Sequence, residues 1–134
     1  MQNNSVIFFT DFKDKHHRLL DMLKSNYTVD VCTYKAESWT DIDFYSNNNI
    51  AFVLDNIPQT KEADWILSKL SEDGLFANTP ILFTSYEAMY DFENSGFVCF
   101  AYDVLPEPFD YDLAYRRFQN LSEISQLKSQ IYNL

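Results

Sequence analysis

Four polar residues follow apolar runs that are typical of buried strands: Asp11, Asp55, Ser85 and Glu107. Asp55 is the sharpest case, because it ends the apolar run 50–54 and is followed by Asn and Pro. Carboxylates and hydroxyls can bind a hard cation such as Mg²⁺, and a carboxylate can also act as a nucleophile. The same residue types often only form turns or cap helices at such positions. Their chemistry therefore depends on whether the fold brings them together.

Several common catalytic arrangements are disfavoured by residue type and position. No glycine-rich turn follows the first apolar run, which argues against a dinucleotide or Walker-type phosphate site. His16 and His17 are neighbours in the first turn of a predicted helix, where side chains point about 100° apart and share no face. We expect both at a solvated helix start, with no Ser-His-Asp or Cys-His arrangement. Cys32 and Cys99 fit no metal-ligand spacing, and we expect reduced, inert thiols.

The composition indicates one packed domain with a strongly acidic surface. The chain has 134 residues, of which 46% are hydrophobic, and its formal charge is -10. This charge repels a phosphate backbone, which argues against direct nucleic-acid binding. The apolar runs are shorter than the roughly 20 residues of a membrane helix, and the N-terminus lacks the pattern of a secretion signal. We expect a cytoplasmic protein that is not in a membrane.

Apolar runs alternate with segments of helical periodicity along the chain. Strands are predicted at 6–9, 27–34, 50–54 and 80–83, and a fifth strand is predicted within 97–105. Helices are predicted at 15–26, 38–48, 60–74 and 86–95, and from Asp110 to the end. This alternation favours a doubly wound α/β fold, in which helices cover both faces of a parallel sheet. In such sheets the ligand site lies beyond the carboxyl ends of the strands.

The order of these elements and the polar strand ends resemble the receiver domain of bacterial two-component response regulators. Asp11 and Asp55 are 44 positions apart, Asp55 and Ser85 are 30 apart, and Ser85 and Glu107 are 22 apart, which match that family's usual separations. The resemblance covers about residues 5–120. It implies a flavodoxin-like sheet of five parallel strands in the order 2-1-3-4-5. It also divides the chain into a receiver-like domain at 1–120 and an extension of the last helix at 121–134.

The resemblance also implies roles for individual residues. Asp55 would accept a phosphoryl group from a histidine kinase or phosphotransfer protein, and the Ser85 hydroxyl would hydrogen-bond that group. Asp11, Asp55 and the backbone carbonyl of Ile57 would hold Mg²⁺. The peptide bond before Pro108 would be cis. The chain would then be a signalling protein and not an enzyme.

Three positions depart from the receiver pattern. Thr10 replaces the first of two consecutive acids after strand one, and Glu107 stands where the family has a lysine. Val104 stands where an aromatic switch residue is common. These changes predict that phosphotransfer to Asp55 is compromised.

The last predicted helix continues past the usual end of a receiver. Ile124, Leu127, Ile131 and Leu134 fall at the 3-4-3 spacing of a coiled-coil seam. The preferred interpretation is a helix that forms a homodimer or leads to an output domain beyond Leu134. The alternative is a helix that folds back onto its own sheet.

Two functions remain open at this stage. The first is a receiver in which a histidine kinase phosphorylates Asp55 with the help of Mg²⁺. The second is a phosphorylation-independent pseudo-receiver that works as an interaction or dimerisation module, which Thr10, Val104 and Glu107 favour. A flavodoxin-like cofactor binder is a third, weaker hypothesis, because a hydroxyl-rich glycine loop after strand one is missing.

Overall fold

Five strands form one parallel sheet in the order β2-β1-β3-β4-β5, which confirms the predicted fold class. The computed structural model describes residues 4–71, 79–84, 102–105 and 107–132. The strands are β1 Ser5–Phe9, β2 Thr28–Cys32, β3 Asn49–Asp55, β4 Ile81–Thr84 and β5 Tyr102–Leu105. The strand order reverses between β1 and β3, whose carboxyl ends therefore flank the expected ligand site.

Three α-helices and two short 3₁₀ turns connect these strands in the described part of the chain. The helices are α1 His17–Lys24, α2 Lys61–Ser71 and α3 Tyr111–Tyr132. The 3₁₀ turns are Lys13–His16 and Ala36–Trp39. Thr60 caps α2 as predicted, because its hydroxyl accepts a hydrogen bond of 3.1 Å from the Ala63 amide. The helix predicted at 86–95 lies outside the described residues.

The prediction of a helix over 38–48 was wrong, because the helical segment here is the 3₁₀ turn Ala36–Trp39, which ends at the second residue of that range. Trp39, Ile42 and Phe44 do face the core, where they pack against the cluster between the sheet and α2. The chain between them is irregular, because the Asn49 side-chain amide donates to the backbone carbonyls of Asp43 and Phe44 at 3.1 and 3.3 Å. The spacing from Trp39 to Ile42 is helical, but the next contact comes from Phe44, while Tyr45 is 62% exposed. The core contacts therefore do not continue at helical spacing.

β3 is buried along its whole length, which explains its unbroken apolar sequence. Phe52 and Leu54 point to the face that α2 covers, whereas Ala51 and Val53 point to the face that α1 and α3 cover. Residues on alternate sides of the strand thus belong to two different core clusters. Asp55 is the last residue of this strand, so its side chain begins where the apolar packing ends.

The Cys32 thiol at the end of β2 is buried, with 3% of the residue exposed. Burial, with a smaller contribution from the charge of Asp30, raises the pKa of this thiol to about 12. The thiolate is the nucleophilic form of cysteine, so Cys32 is an unreactive thiol at neutral pH. This agrees with the expectation for Cys32, while Cys99 lies outside the described residues.

The described helices include none that combines the length and the apolar character needed to cross a bilayer.

Candidate functional site

The Asp55 carboxylate is fully buried at the carboxyl end of β3 and is surrounded by hydrogen-bond donors. Its Oδ2 accepts a hydrogen bond of 2.7 Å from the Thr10 hydroxyl and lies 2.9 Å from Nε2 of His16. Its Oδ1 accepts a hydrogen bond of 2.7 Å from the Thr84 hydroxyl. Each carboxylate oxygen is therefore engaged by neighbouring side chains.

Strand register explains how the two threonines reach Asp55. Asp55 pairs with Thr84 at the ends of β3 and β4, so the two side chains leave the sheet together. Thr10 directly follows β1, the other neighbour of β3. Ser85, the hydroxyl residue chosen from the sequence, lies outside the described residues. The signal for Thr84 was present in the sequence, because Thr84 and Ser85 are adjacent hydroxyl residues at the same strand end.

His16 was expected to be solvated, and this expectation was wrong. Only 3% of His16 is exposed, and its ring packs against the rings of Phe8 and Phe109 at centroid distances of 6.3 and 5.5 Å. The 3₁₀ turn Lys13–His16 ends at this residue, and His17 on the next position is exposed. Because neighbouring side chains point in different directions, one of them can be buried while the other is in solvent.

Glu107 turns toward Asp55, although part of its side chain remains in solvent. Its Oε1 lies 3.8 Å from Nε2 of His16, and its Oε2 forms a 3.1 Å ion pair with the ammonium group of Lys15. The exposed fraction of the Glu107 side chain is 28%. The Glu107–Pro108 peptide bond is cis, as the resemblance implied. We refer to Thr10, His16, Asp55, Thr84 and Glu107 as the strand-end cluster.

Asp11 is exposed and is directed toward the backbone at the end of β2. Its Oδ1 accepts a hydrogen bond of 3.2 Å from the Tyr34 amide, and the Tyr34 hydroxyl donates to the Asp55 backbone carbonyl at 2.9 Å. Burial, followed by the charges of Asp55 and Asp11, raises the pKa of Tyr34 well above its ordinary value. Tyr34 is therefore a neutral hydrogen-bond donor at physiological pH.

The predicted metal ligands were the carboxylates of Asp11 and Asp55 and the backbone carbonyl of Ile57. The Asp55 carboxylate is buried, whereas Asp11 is exposed. Ile57 is buried, and Asn56 before it has a positive φ of 48°, so the chain turns sharply after Asp55. Three side chains in the described part of the chain could share a metal ion: His16, Asp55 and Glu107. Each offers one ligand atom, and these atoms all lie within 4.8 Å of one another. Asp11 does not belong to this group.

Mg²⁺ is the cation that the resemblance to receivers implies. Whether Mg²⁺ fits this site depends on the atoms that could bind it. Mg²⁺ prefers six oxygen ligands in near-ideal octahedral geometry. Here an imidazole nitrogen stands beside Asp55, and the carboxylate of Asp11 faces a backbone amide. These described donors do not match the preference of Mg²⁺, so no step of a mechanism is assigned to that ion.

The receiver fold is also found by comparison with solved structures. The chain is similar to the crystal structure of a signal receiver domain of two-component signal transduction (histidine kinase) from Clostridium thermocellum. The TM-score is 0.60 and the identity is 13%, with 89% of this chain and 97% of that chain covered. No protein-family model matches the chain, and no curated protein sequence matches it. The likeness therefore shows the fold, while the site must be argued from this chain's own residues.

Proposed function

We propose that the chain is a receiver-type signalling module of a two-component system in which phosphotransfer to Asp55 is compromised, so that the module acts mainly through protein contacts. The observation that supports this proposal is the closed environment of Asp55. Its carboxylate has no exposed surface and is hydrogen-bonded by Thr10, His16 and Thr84.

A carboxylate nucleophile must present a free lone pair to phosphorus along an open line of approach. At Asp55 both oxygens are engaged and no surface is open, so an incoming phosphodonor must first displace a hydroxyl or the imidazole. A donor that is displaced before it reaches a new acceptor is buried without a partner, which costs about 1 to 3 kcal/mol for each group. This cost opposes attack before any chemistry begins.

Electrostatics oppose the phosphorylated product as well. A phosphoryl group on Asp55 would carry close to two negative charges next to the Glu107 carboxylate, whose ligand atom lies within 4.8 Å of that of Asp55. The cation closest to Glu107 in the described contacts is Lys15, and that ammonium group is already paired with Glu107. The strand-end cluster is therefore better suited to a carboxylate that stays unmodified.

The partners that fit this proposal are other proteins of a signalling pathway. A histidine kinase or phosphotransfer protein would dock near the carboxyl ends of the strands, and an output domain would follow Leu134. The proposal treats the chain as a signalling module and not as an enzyme.

Incubation of the protein with acetyl phosphate or a phosphoramidate, in the presence of Mg²⁺, tests the proposal by intact-mass spectrometry. We expect no phosphoryl adduct, because Asp55 is closed and Glu107 repels the product. Asp55→Asn is the control for any adduct at another residue. An adduct on the wild-type chain that disappears in Asp55→Asn would overturn the proposal.

That outcome would support the second candidate, a phosphorylatable receiver. The observation that favours this candidate is the hydrogen bond of 2.7 Å that the Thr84 hydroxyl donates to Asp55. On a phosphorylated Asp55, the same hydroxyl could donate to an oxygen of the phosphoryl group.

We further propose that α3 mediates self-association. Ile124 and Leu127 have exposed fractions of 44% and 58%, although both are large apolar residues on one stripe of a 22-residue helix. The side chains of Ile131 and Leu134, which continue the predicted seam, lie outside the described part. A second copy of the helix would cover this stripe in the manner of a short coiled coil.

Leu127→Glu tests the homodimer. We expect the substitution to shift the protein toward monomer in sedimentation velocity, because a like-charge pair would replace an apolar contact across the seam. Gln126→Glu adds the same charge at the neighbouring exposed position and should leave the sedimentation coefficient unchanged. A wild-type protein that remains monomeric at every concentration would contradict a dimer.

A further inference from the structure

We propose that His16, Asp55 and Glu107 form a binding site for Zn²⁺, with one imidazole nitrogen and two carboxylates as the protein ligands. Their ligand atoms all lie within 4.8 Å of one another. His16 and Asp55 are buried, whereas the Glu107 side chain reaches solvent. An ion could therefore enter from the Glu107 side and be held by groups that are already positioned.

The donor chemistry favours Zn²⁺ over Mg²⁺. Zn²⁺ binds imidazole nitrogen and carboxylate oxygen, and its open sites have three protein ligands with a fourth position for water or another group. Two carboxylates and a neutral imidazole carry a formal charge of about -2, which a divalent cation balances. Mg²⁺ instead requires oxygen ligands and retains several waters.

Two of the three distances between ligand atoms are close to those around a bound ion, and the third, between Asp55 and Glu107, is at most 4.8 Å. Tetrahedral Zn²⁺ with ligand bonds of 2.0 to 2.2 Å places its ligand atoms roughly 3.4 Å apart. Nε2 of His16 lies 3.8 Å from Oε1 of Glu107, which is already near this spacing. The same nitrogen lies 2.9 Å from Oδ2 of Asp55, so these two atoms must separate by about half an ångström. Zn²⁺ would take the place of the hydrogen between Nε2 and Oδ2, and that proton would move to Nδ1 of the ring or be released to solvent.

The groups around the ligands support the same geometry. The hydroxyls of Thr10 and Thr84 each donate to Asp55 at 2.7 Å, and such outer hydrogen bonds orient a ligating carboxylate. The rings of Phe8 and Phe109 hold the imidazole of His16 from two sides. Lys15 is the one opposing feature in these contacts, because its ammonium group is paired with Glu107 through Oε2 while Oε1 faces His16.

A bound ion would connect three parts of the fold. His16 ends the turn before α1, Asp55 ends β3, and Glu107 belongs to the connection between β5 and α3. Zn²⁺ would thus link the strand ends to the start of α3 without any phosphoryl group. This inference goes beyond the proposed function and does not require it.

Titration of the tag-free protein with Zn²⁺ by calorimetry tests the site, and Co²⁺ serves as a spectroscopic probe. We expect one ion per chain and a visible Co²⁺ spectrum of a nitrogen and oxygen site. Glu107→Gln and His16→Gln should each weaken Zn²⁺ binding by at least ~10-fold. Loss of a residue that only hydrogen-bonds to a metal ligand already has an effect of that size. His17→Gln, which removes the exposed neighbouring imidazole, should bind as the wild type does. Lys15→Gln should bind more tightly, because it removes a positive charge next to a ligand.

Three results would overturn the site: no binding of Zn²⁺, equal binding in wild type and Glu107→Gln, or a sulfur-to-cobalt charge-transfer band that places the ion on a thiol. If circular dichroism shows that His16→Gln is unfolded, Glu107→Gln decides the outcome, because its partly exposed side chain is not part of the core. The titration contains no phosphodonor, so its failure is distinct from failure of the proposed function.

Discussion

His16→Ala is expected to lower the free energy of unfolding by about 3 kcal/mol, because a buried carboxylate loses one hydrogen-bond partner and the core loses a buried ring. The His16 ring is 2.9 Å from the fully buried carboxylate of Asp55. Without it, Asp55 retains the hydroxyls of Thr10 and Thr84 but loses the donor on Oδ2 that can carry a positive charge. The substitution also leaves a void between Phe8 and Phe109.

Chemical denaturation monitored by circular dichroism measures this effect, and His17→Ala is the matched control. His17 is the next residue and is exposed, so its replacement should change the free energy of unfolding by no more than about 0.5 kcal/mol. Equal stabilities for the two variants would show that His16 is not buried against Asp55. That result would remove the basis for a closed strand-end cluster.

The double substitution Thr10→Asp with Glu107→Lys is expected to allow phosphorylation of Asp55. Thr10→Asp supplies the second carboxylate of the receiver pattern, and Glu107→Lys reverses the charge beside the phosphoryl position. At about 4 Å and an effective dielectric constant near 20, one such charge contributes about 4 kcal/mol, so the reversal changes the energy by about twice that amount. If solvent leaves only a quarter of this difference, the phosphorylation equilibrium still changes about thirtyfold.

A matched control separates this local effect from the change in net charge. Thr40→Asp with Glu37→Lys makes the same two substitutions at exposed positions, one in the 3₁₀ turn Ala36–Trp39 and one directly after it. This control should accept no more phosphate than the wild type does. Comparable labelling of the two double variants would mean that overall charge, and not the strand-end cluster, controls the reaction.

Most of the sheet could be predicted from the sequence because its strands are covered on both faces. β3 is the clearest example, since burial on two sides requires the continuous apolar run that ends at Asp55. The segment after β2 could not be predicted in the same way. Trp39, Ile42 and Phe44 contact the core from an irregular segment, whose backbone accepts hydrogen bonds from the side chain of Asn49.

The positions of site residues at strand ends could be predicted from the sequence. The positions of site residues in turns could not. The position of Asp55 followed from the end of an apolar run, and Thr10 was recognised as a departure from the receiver pattern. His16 lies in a 3₁₀ turn, whose geometry brings the ring under Phe109, a residue far away in the sequence. The orientation of Glu107 toward His16 likewise depends on contacts between distant segments.

The measurement that tests the closed strand-end cluster most directly is the intact mass of the wild type and of Thr10→Asp with Glu107→Lys, after the same treatment with phosphodonor and Mg²⁺. We expect an unmodified wild-type chain and a phosphoryl adduct on the double variant that is lost when Asp55→Asn is added. A wild-type chain that carries the adduct on Asp55 to the same extent as the double variant would contradict this expectation.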